Sequence, residues 1–157
     1  MKTLIVYTTT HGCAEKCANK LQQNLSGETE LLNFKKSKPV NLENCETIII
    51  GGSIHAGQIQ KRIKKFCQGN LDILKKKIGL FLCCMYEGEI AQKQFQDAFP
   101  TELIEHATAT GIFGGEFNFE KMNFIEKTIV KKVAKVENSV SRISDEAIIQ
   151  FAQKMKV

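Results

Sequence analysis

The 157-residue chain has no tryptophan, two tyrosines and two prolines. Only Arg62 and Arg142 are arginines, so the formal net charge of +5 comes almost wholly from lysine. No apolar run approaches the ~18–20 residues that cross a bilayer; the longest, Ile78 to Tyr86, is about half that. No repeat, low-complexity tract or Pro/Gly/Ser linker divides the chain, so one domain over residues 1–157 is expected. Met1-Lys2 leads into a short strand-like run without a small-residue cleavage site. That argues against a secretory signal and for a cytoplasmic location. With 43% hydrophobic and 25% charged residues, wholesale disorder is excluded.

Six cysteines contain no C-x-x-C pair. Cys13 and Cys17 stand at helical spacing, Cys83 and Cys84 are adjacent in an apolar run, and Cys45 and Cys67 are isolated. They read as reduced thiols acting mostly as small core hydrophobes. His11 with Cys13 and Cys17 lacks the second ligand pair of a structural metal site, so no metal is expected. The densest basic stretch, Lys61 to Lys77, has Phe66 as its one aromatic and no nucleic-acid motif. It reads as a solvated helix face, and no nucleic-acid partner is expected.

Short apolar runs alternate with amphipathic segments. Leu4-Ile5-Val6-Tyr7 and Thr47 to Gly51 read as strands buried on both faces, with further strands at Glu30–Phe34, Ile78–Cys84 and Thr108–Phe113. Ala14, Cys17, Ala18, Leu21 and Leu25 form a helical stripe that Gly27 ends. Helices are also expected over Gln58–Gln68 (Ile59, Ile63, Phe66 and Cys67 inward) and Glu89–Phe99 (Ile90, Phe95 and Ala98 inward). The last covers Ser144–Met155, with Ile148, Ile149, Ala152 and Met155 on one side. This alternation predicts an α/β fold: a three-layer, doubly wound, five-stranded parallel sheet. Ligands of such sheets bind at the carboxyl ends of the strands, which directs attention to the loops after Tyr7, Gly51, Cys84 and Phe113.

The first of these loops reads Thr8-Thr9-Thr10-His11-Gly12-Cys13-Ala14. Three hydroxyls and a glycine before a helix N-terminus suit a phosphate. Neither Gly-Lys-Ser/Thr nor G-x-G-x-x-G is present, which excludes a Walker loop and a dinucleotide fingerprint. The acidic cluster of a receiver domain is missing as well.

The loop resembles the flavodoxin signature Thr/Ser-x-Thr-Gly-x-Thr, with His11 as an extra residue before Gly12 and Ala14 in place of the last hydroxyl. The nearest likeness is to flavodoxin-like menaquinone-dependent protoporphyrinogen oxidases, supported by Ile50 to Gly57 and by the segment from Gly114-Gly115 through Ser139. The resemblance implies FMN, with its phosphate on Thr8, Thr9, Thr10, His11, Gly12, Cys13 and Ala14. It places the ring between Ser53, Ile54, His55, Ala56 and Gly57 on one side and Cys84, Met85 and Tyr86 on the other. Tyr86 is the candidate to stack on the ring, and Gly57 suits a peptide that approaches it. A flavin carries its own redox chemistry, so no catalytic side chain is expected. The implied function is an FMN-dependent oxidoreductase or electron-transfer protein, with a redox partner protein, a quinone or a porphyrinogen as its counterpart. Ala14 motivates the alternative, a flavodoxin-fold binding or regulatory module that has lost FMN.

Glu116 to Lys135 exceeds the needs of a five-stranded domain. Met122, Ile125, Ile129 and Val133 recur at helical spacing, and lysines outnumber acids. This reads as a helix. Its stripe belongs either in the core or against an anionic membrane or redox partner.

Overall fold

The computed structural model describes residues 2–34, 41–135 and 137–156. Five parallel strands form the sheet: β1 (Lys2–Tyr7), β2 (Glu28–Asn33), β3 (Thr47–His55), β5 (Lys77–Cys83) and β6 (Ala109–Ile112), in the order β2-β1-β3-β5-β6. A sixth, β4 (Gln58–Ile59), pairs antiparallel with the end of β3. The helices are α1 (Cys13–Asn24), α2 (Lys61–Gly69), α3 (Gly88–Ala98), α4 (Thr101–His106), α5 (Phe124–Val133) and α6 (Asp145–Met155). A small antiparallel pair, β7 (Glu116–Phe117) with β8 (Val140–Ser141), stands apart. The expected three-layer, doubly wound parallel sheet is therefore what the chain forms. No helix among the described residues is long and apolar enough to cross a membrane.

Strand residues alternate between two cores, because successive side chains leave a strand on opposite faces. Leu4, Val6, Ile48, Ile50, Ile78, Leu80 and Leu82 pack with residues of α2, α3 and α4. Ile5, Tyr7, Ile49, Phe81 and Cys83 pack with α1 and α6. Three aromatic rings run through the second core: Phe81 stacks on Phe113 at 4.9 Å, and Phe113 meets Phe151 edge-on at 5.3 Å. The Phe81 ring fills the hollow at Gly51, where an added Cβ would lie 2.0 Å from it.

Several boundaries differ from the sequence reading. Strand β3 does not stop at Gly51. It continues through Ser53, Ile54 and His55, because Gln58 and Ile59 fold back on His55 and Ile54. Ala56 and Gly57 both have positive φ (51° and 78°), as a two-residue hairpin turn of this hand requires. The second helix thus begins at Lys61 rather than Gln58, and Ile59 is buried from a strand. Helix α1 ends at Asn24, ahead of Gly27. On α3 the inward positions are Ala91, Phe95 and Ala98, a 3.6-residue repeat that leaves Ile90 56% exposed. On α6, Ile149 is likewise exposed, and Phe151 takes the inward place assigned to it. The sequence reading had no counterpart of α4, which starts straight after Pro100.

The 116–135 stretch is not one helix. It runs as β7, a 3₁₀ turn (Phe119–Lys121) and α5, and the neighbouring Val136 lies outside the described residues. A capping box sets the start of α5: Asn123 Oδ1 accepts from Glu126 N at 2.8 Å, and Asn123 N donates to Glu126 Oε1 at 3.4 Å. Met122 is buried, but Phe124, Ile125, Ile129 and Val133 are 55–84% exposed, so the α5 stripe is not in the core.

Candidate functional site

The direction of strand order reverses between β1 and β3, and crevices at such switch points are where open α/β sheets bind ligands. A cleft opens there. The β1–α1 loop contributes Thr10, His11 and Cys13, the β3 rim Ser53, Ile54, His55 and Ala56, and the end of β5 Cys83, Cys84 and Met85. Gly115, Glu116 and Phe117 close one side, and α5 with the turn before it lays Met122, Glu126, Ile129 and Val130 across the top. The open volume is about 190 Å³, below the ~300–1,000 Å³ usual for ligand pockets.

The β1–α1 loop carries the chain from β1 into the N-terminus of α1. Gly12, at φ 97°, turns the chain into α1, whose N-terminus has no side-chain cap. Thr9 Oγ1 accepts from Gly12 N at 2.8 Å and so holds the loop in shape. Thr8 is 4% exposed, and its hydroxyl has no hydrogen-bond partner among the described residues. A buried hydroxyl left unmatched costs about 1–3 kcal/mol, so such a group calls for an explanation. Above Gly12 sits the ammonium of Lys121, whose Nζ would be 2.8 Å from a Cβ added there. A cation beside the positive end of a helix is electrostatically unfavourable until an anion lies between them.

Gln60 ties this loop to the β3 rim. Its Nε2 donates to Ser53 Oγ at 2.7 Å and to Thr10 Oγ1 at 3.2 Å, while its Oε1 accepts from Ser53 N at 3.0 Å. Lys16 Nζ meets the nearly buried carboxylate of Glu116 at 2.7 Å, joining α1 to β7. That hydrogen bond raises the Lys16 pKa. Behind the loop, the thiols of Cys13, Cys17 and Cys83 converge within 4.8 Å of one another. Thiol donation from Cys17 and Cys83 holds Cys13 below the ordinary thiol range. Cys83 Sγ donates to Cys17 Sγ at 3.5 Å, and hydrogen bonding within the cluster holds both of these thiols above the ordinary range.

Of the residues singled out from the sequence, Thr10, His11, Cys13, Ser53, Ile54, His55, Ala56, Cys84 and Met85 line the cleft. Thr8, Thr9, Gly12 and Ala14 lie in or under its β1–α1 wall without lining it. Tyr86 is 48% exposed and is not part of the lining; Met85 occupies that wall. Gly57 stands clear, with nothing within 4 Å of an added Cβ, so its positive φ explains the glycine and close approach does not. Gln60, Glu126 and Lys121 were missed. The Asn-x-x-Glu spacing at 123–126 does announce a capping box, but no local pattern shows that the same Glu126 reaches the cleft.

Fold and site together define a doubly wound α/β protein with an open cleft at its switch point. The Flavodoxin domain family matches residues 4–144, and the chain belongs to that family. A search of curated proteins found no significant match. Among solved structures, oxidised Flavodoxin 1 from Bacillus cereus aligns with TM-score 0.61 and 17% identity, over 99% of this chain and 97% of that one. A short-chain flavodoxin associated with a PDU bacterial microcompartment aligns with TM-score 0.63 and 11% identity, over 99% and 97%. Rubredoxin oxygen:oxidoreductase from Desulfovibrio gigas aligns with TM-score 0.58 and 14% identity over 99% of this chain. This chain spans only 37% of that longer protein. At these identities the likeness is one of fold.

Proposed function

We propose that the protein is an FMN-binding electron-transfer flavoprotein. The observation that carries the reading is the uncapped N-terminus of α1 with the Lys121 ammonium over Gly12, in a chain of the flavodoxin-domain family. A phosphate would engage both at once. Thr8, Thr10, the first amides of α1 and Lys121 would hold it, and Ser53 to Ala56 with Cys84 and Met85 would border the ring. The cofactor supplies hydride and single-electron transfer when bound; the protein's share is binding, orientation and exclusion of water.

The basic, apolar-faced α5 supports a second part of the reading, contact with an anionic lipid surface. Phe124, Ile125, Ile129 and Val133 are exposed on a helix that also carries Lys127, Lys131 and Lys132. Each lysine near such a surface contributes about 1 kcal/mol, screened by salt. The resemblance to menaquinone-dependent protoporphyrinogen oxidases supplies quinone and porphyrinogen as counterparts to assay.

The test is the flavin itself. Purified protein is expected to be yellow, or to quench the fluorescence of added FMN saturably. Colourless protein that takes up no FMN overturns the reading and leaves the cofactor-free binding module. Co-sedimentation with anionic vesicles at low salt, lost at high salt, tests the lipid contact.

A further inference from the structure

Three side chains from distant parts of the chain meet at the mouth of the cleft: His11 from the β1–α1 loop, His55 from the end of β3 and Glu126 from the first turn of α5. Their ligand atoms all lie within 4.8 Å of one another. His11 Nε2 is 2.8 Å from Glu126 Oε2, and His55 Nε2 is 3.9 Å from the same oxygen. The two imidazoles stand 5.5 Å apart between centroids, tilted by 55°. We propose that His11, His55 and Glu126 form a site for a divalent transition-metal ion of the zinc type.

Two imidazole nitrogens and one carboxylate oxygen are a donor set that suits such an ion and leaves a fourth position open. Bonds of about 2.0–2.1 Å in a tetrahedron set ligand atoms roughly 3.3 Å apart. The observed 2.8 and 3.9 Å separations straddle that spacing. His55 is half exposed on a hairpin end and can close the longer gap by a change of rotamer. The carboxylate is already aimed. Its Oε1 is engaged by the backbone of Asn123 in the capping box, which leaves Oε2 for both histidines. Outer hydrogen bonds of this kind orient metal ligands and tune their affinity. A hydrogen bond alone explains only one of the two contacts, since 3.9 Å is too long for one. The bound ion would pin α5 to the β1–α1 loop and the β3 rim, with its open position toward the cleft that all three residues line.

The experiment uses tag-free, fully reduced protein, titrated with Co²⁺ and followed by visible absorption, and with Zn²⁺ in a calorimeter. One ion per chain is expected, with visible Co²⁺ bands and without the intense near-ultraviolet band of thiolate ligation. His55→Ala and Glu126→Gln, each checked for native circular dichroism, are expected to lose at least about tenfold in Zn²⁺ affinity. A thiolate band overturns the proposal by assigning the ion to Cys13, Cys17 and Cys83. Absence of binding reduces the cluster to a histidine–carboxylate hydrogen bond, and wild-type affinity in both variants places the ion elsewhere; either result also overturns it.

Discussion

At single residues the proposed phosphate site of the β1–α1 loop can be tested. Thr8 carries an unmatched buried hydroxyl, so Thr8→Val removes a desolvated group while keeping the shape. Free-protein stability is expected to stay level or rise in urea titrations. FMN affinity is expected to fall by about 1.5 kcal/mol or more, roughly tenfold, the worth of a hydrogen bond to a charged group. A single substitution with opposite signs in the two assays separates a binding hydroxyl from a structural one. Lys121→Gln is expected to weaken FMN by about 1 kcal/mol at low ionic strength, and by less as salt screens the exposed ammonium. The loop itself was legible in the sequence, since three hydroxyls and a glycine stand consecutively between a strand and a helix. Lys121, Gln60 and Glu126 were not, because each arrives through tertiary packing from more than 40 residues away.

At the scale of elements, periodicity announced a helix after Met122 but not which way its stripe faces. An amphipathic repeat fixes an angle around the helix axis, and the partner for that face lies elsewhere in the chain or outside it. The same limit explains Ile90 and Ile149, apolar residues beside the true inward stripes of α3 and α6. Double-sided strands were easier to read because they stay apolar at every position. The α5 result has a direct check. Ile125→Gln and Ile129→Gln are expected to shift stability by no more than about 0.5 kcal/mol, as surface substitutions do. Truncating a buried isoleucine costs about 2–5 kcal/mol. A loss in that range in urea unfolding would return α5 to the core.

For the molecule as a whole, burial of thiols sets an alkaline limit. Burial pushes Cys67 from 9.0 up to about 12. Below pH 9 neither the folded nor the unfolded thiol is ionised, and this residue gives no pH dependence. Above pH 9 the unfolded chain loses the proton and the folded one keeps it. Stability therefore falls as pH rises toward 12, by about 1.4 kcal/mol per unit while only the unfolded thiol titrates. Between pH 9 and 10 the Cys67→Ala variant is expected to lose about 1 kcal/mol less than wild type, read from urea midpoints under reducing conditions.

The ring file of Phe81, Phe113 and Phe151 reaches across β5, the residue after β6 and α6, and it is seated in a hollow that only glycine leaves at position 51. Gly51→Ala alone is expected to cost at least about 1–3 kcal/mol from overpacking, and Phe81→Leu alone roughly 1 kcal/mol or more from lost contacts. Together they relieve each other, so the double variant is expected to be more stable than the sum of the two losses predicts. Positions 51 and 81 then behave as one heritable unit: a lineage can change the pair, while each single step toward the change is selected against.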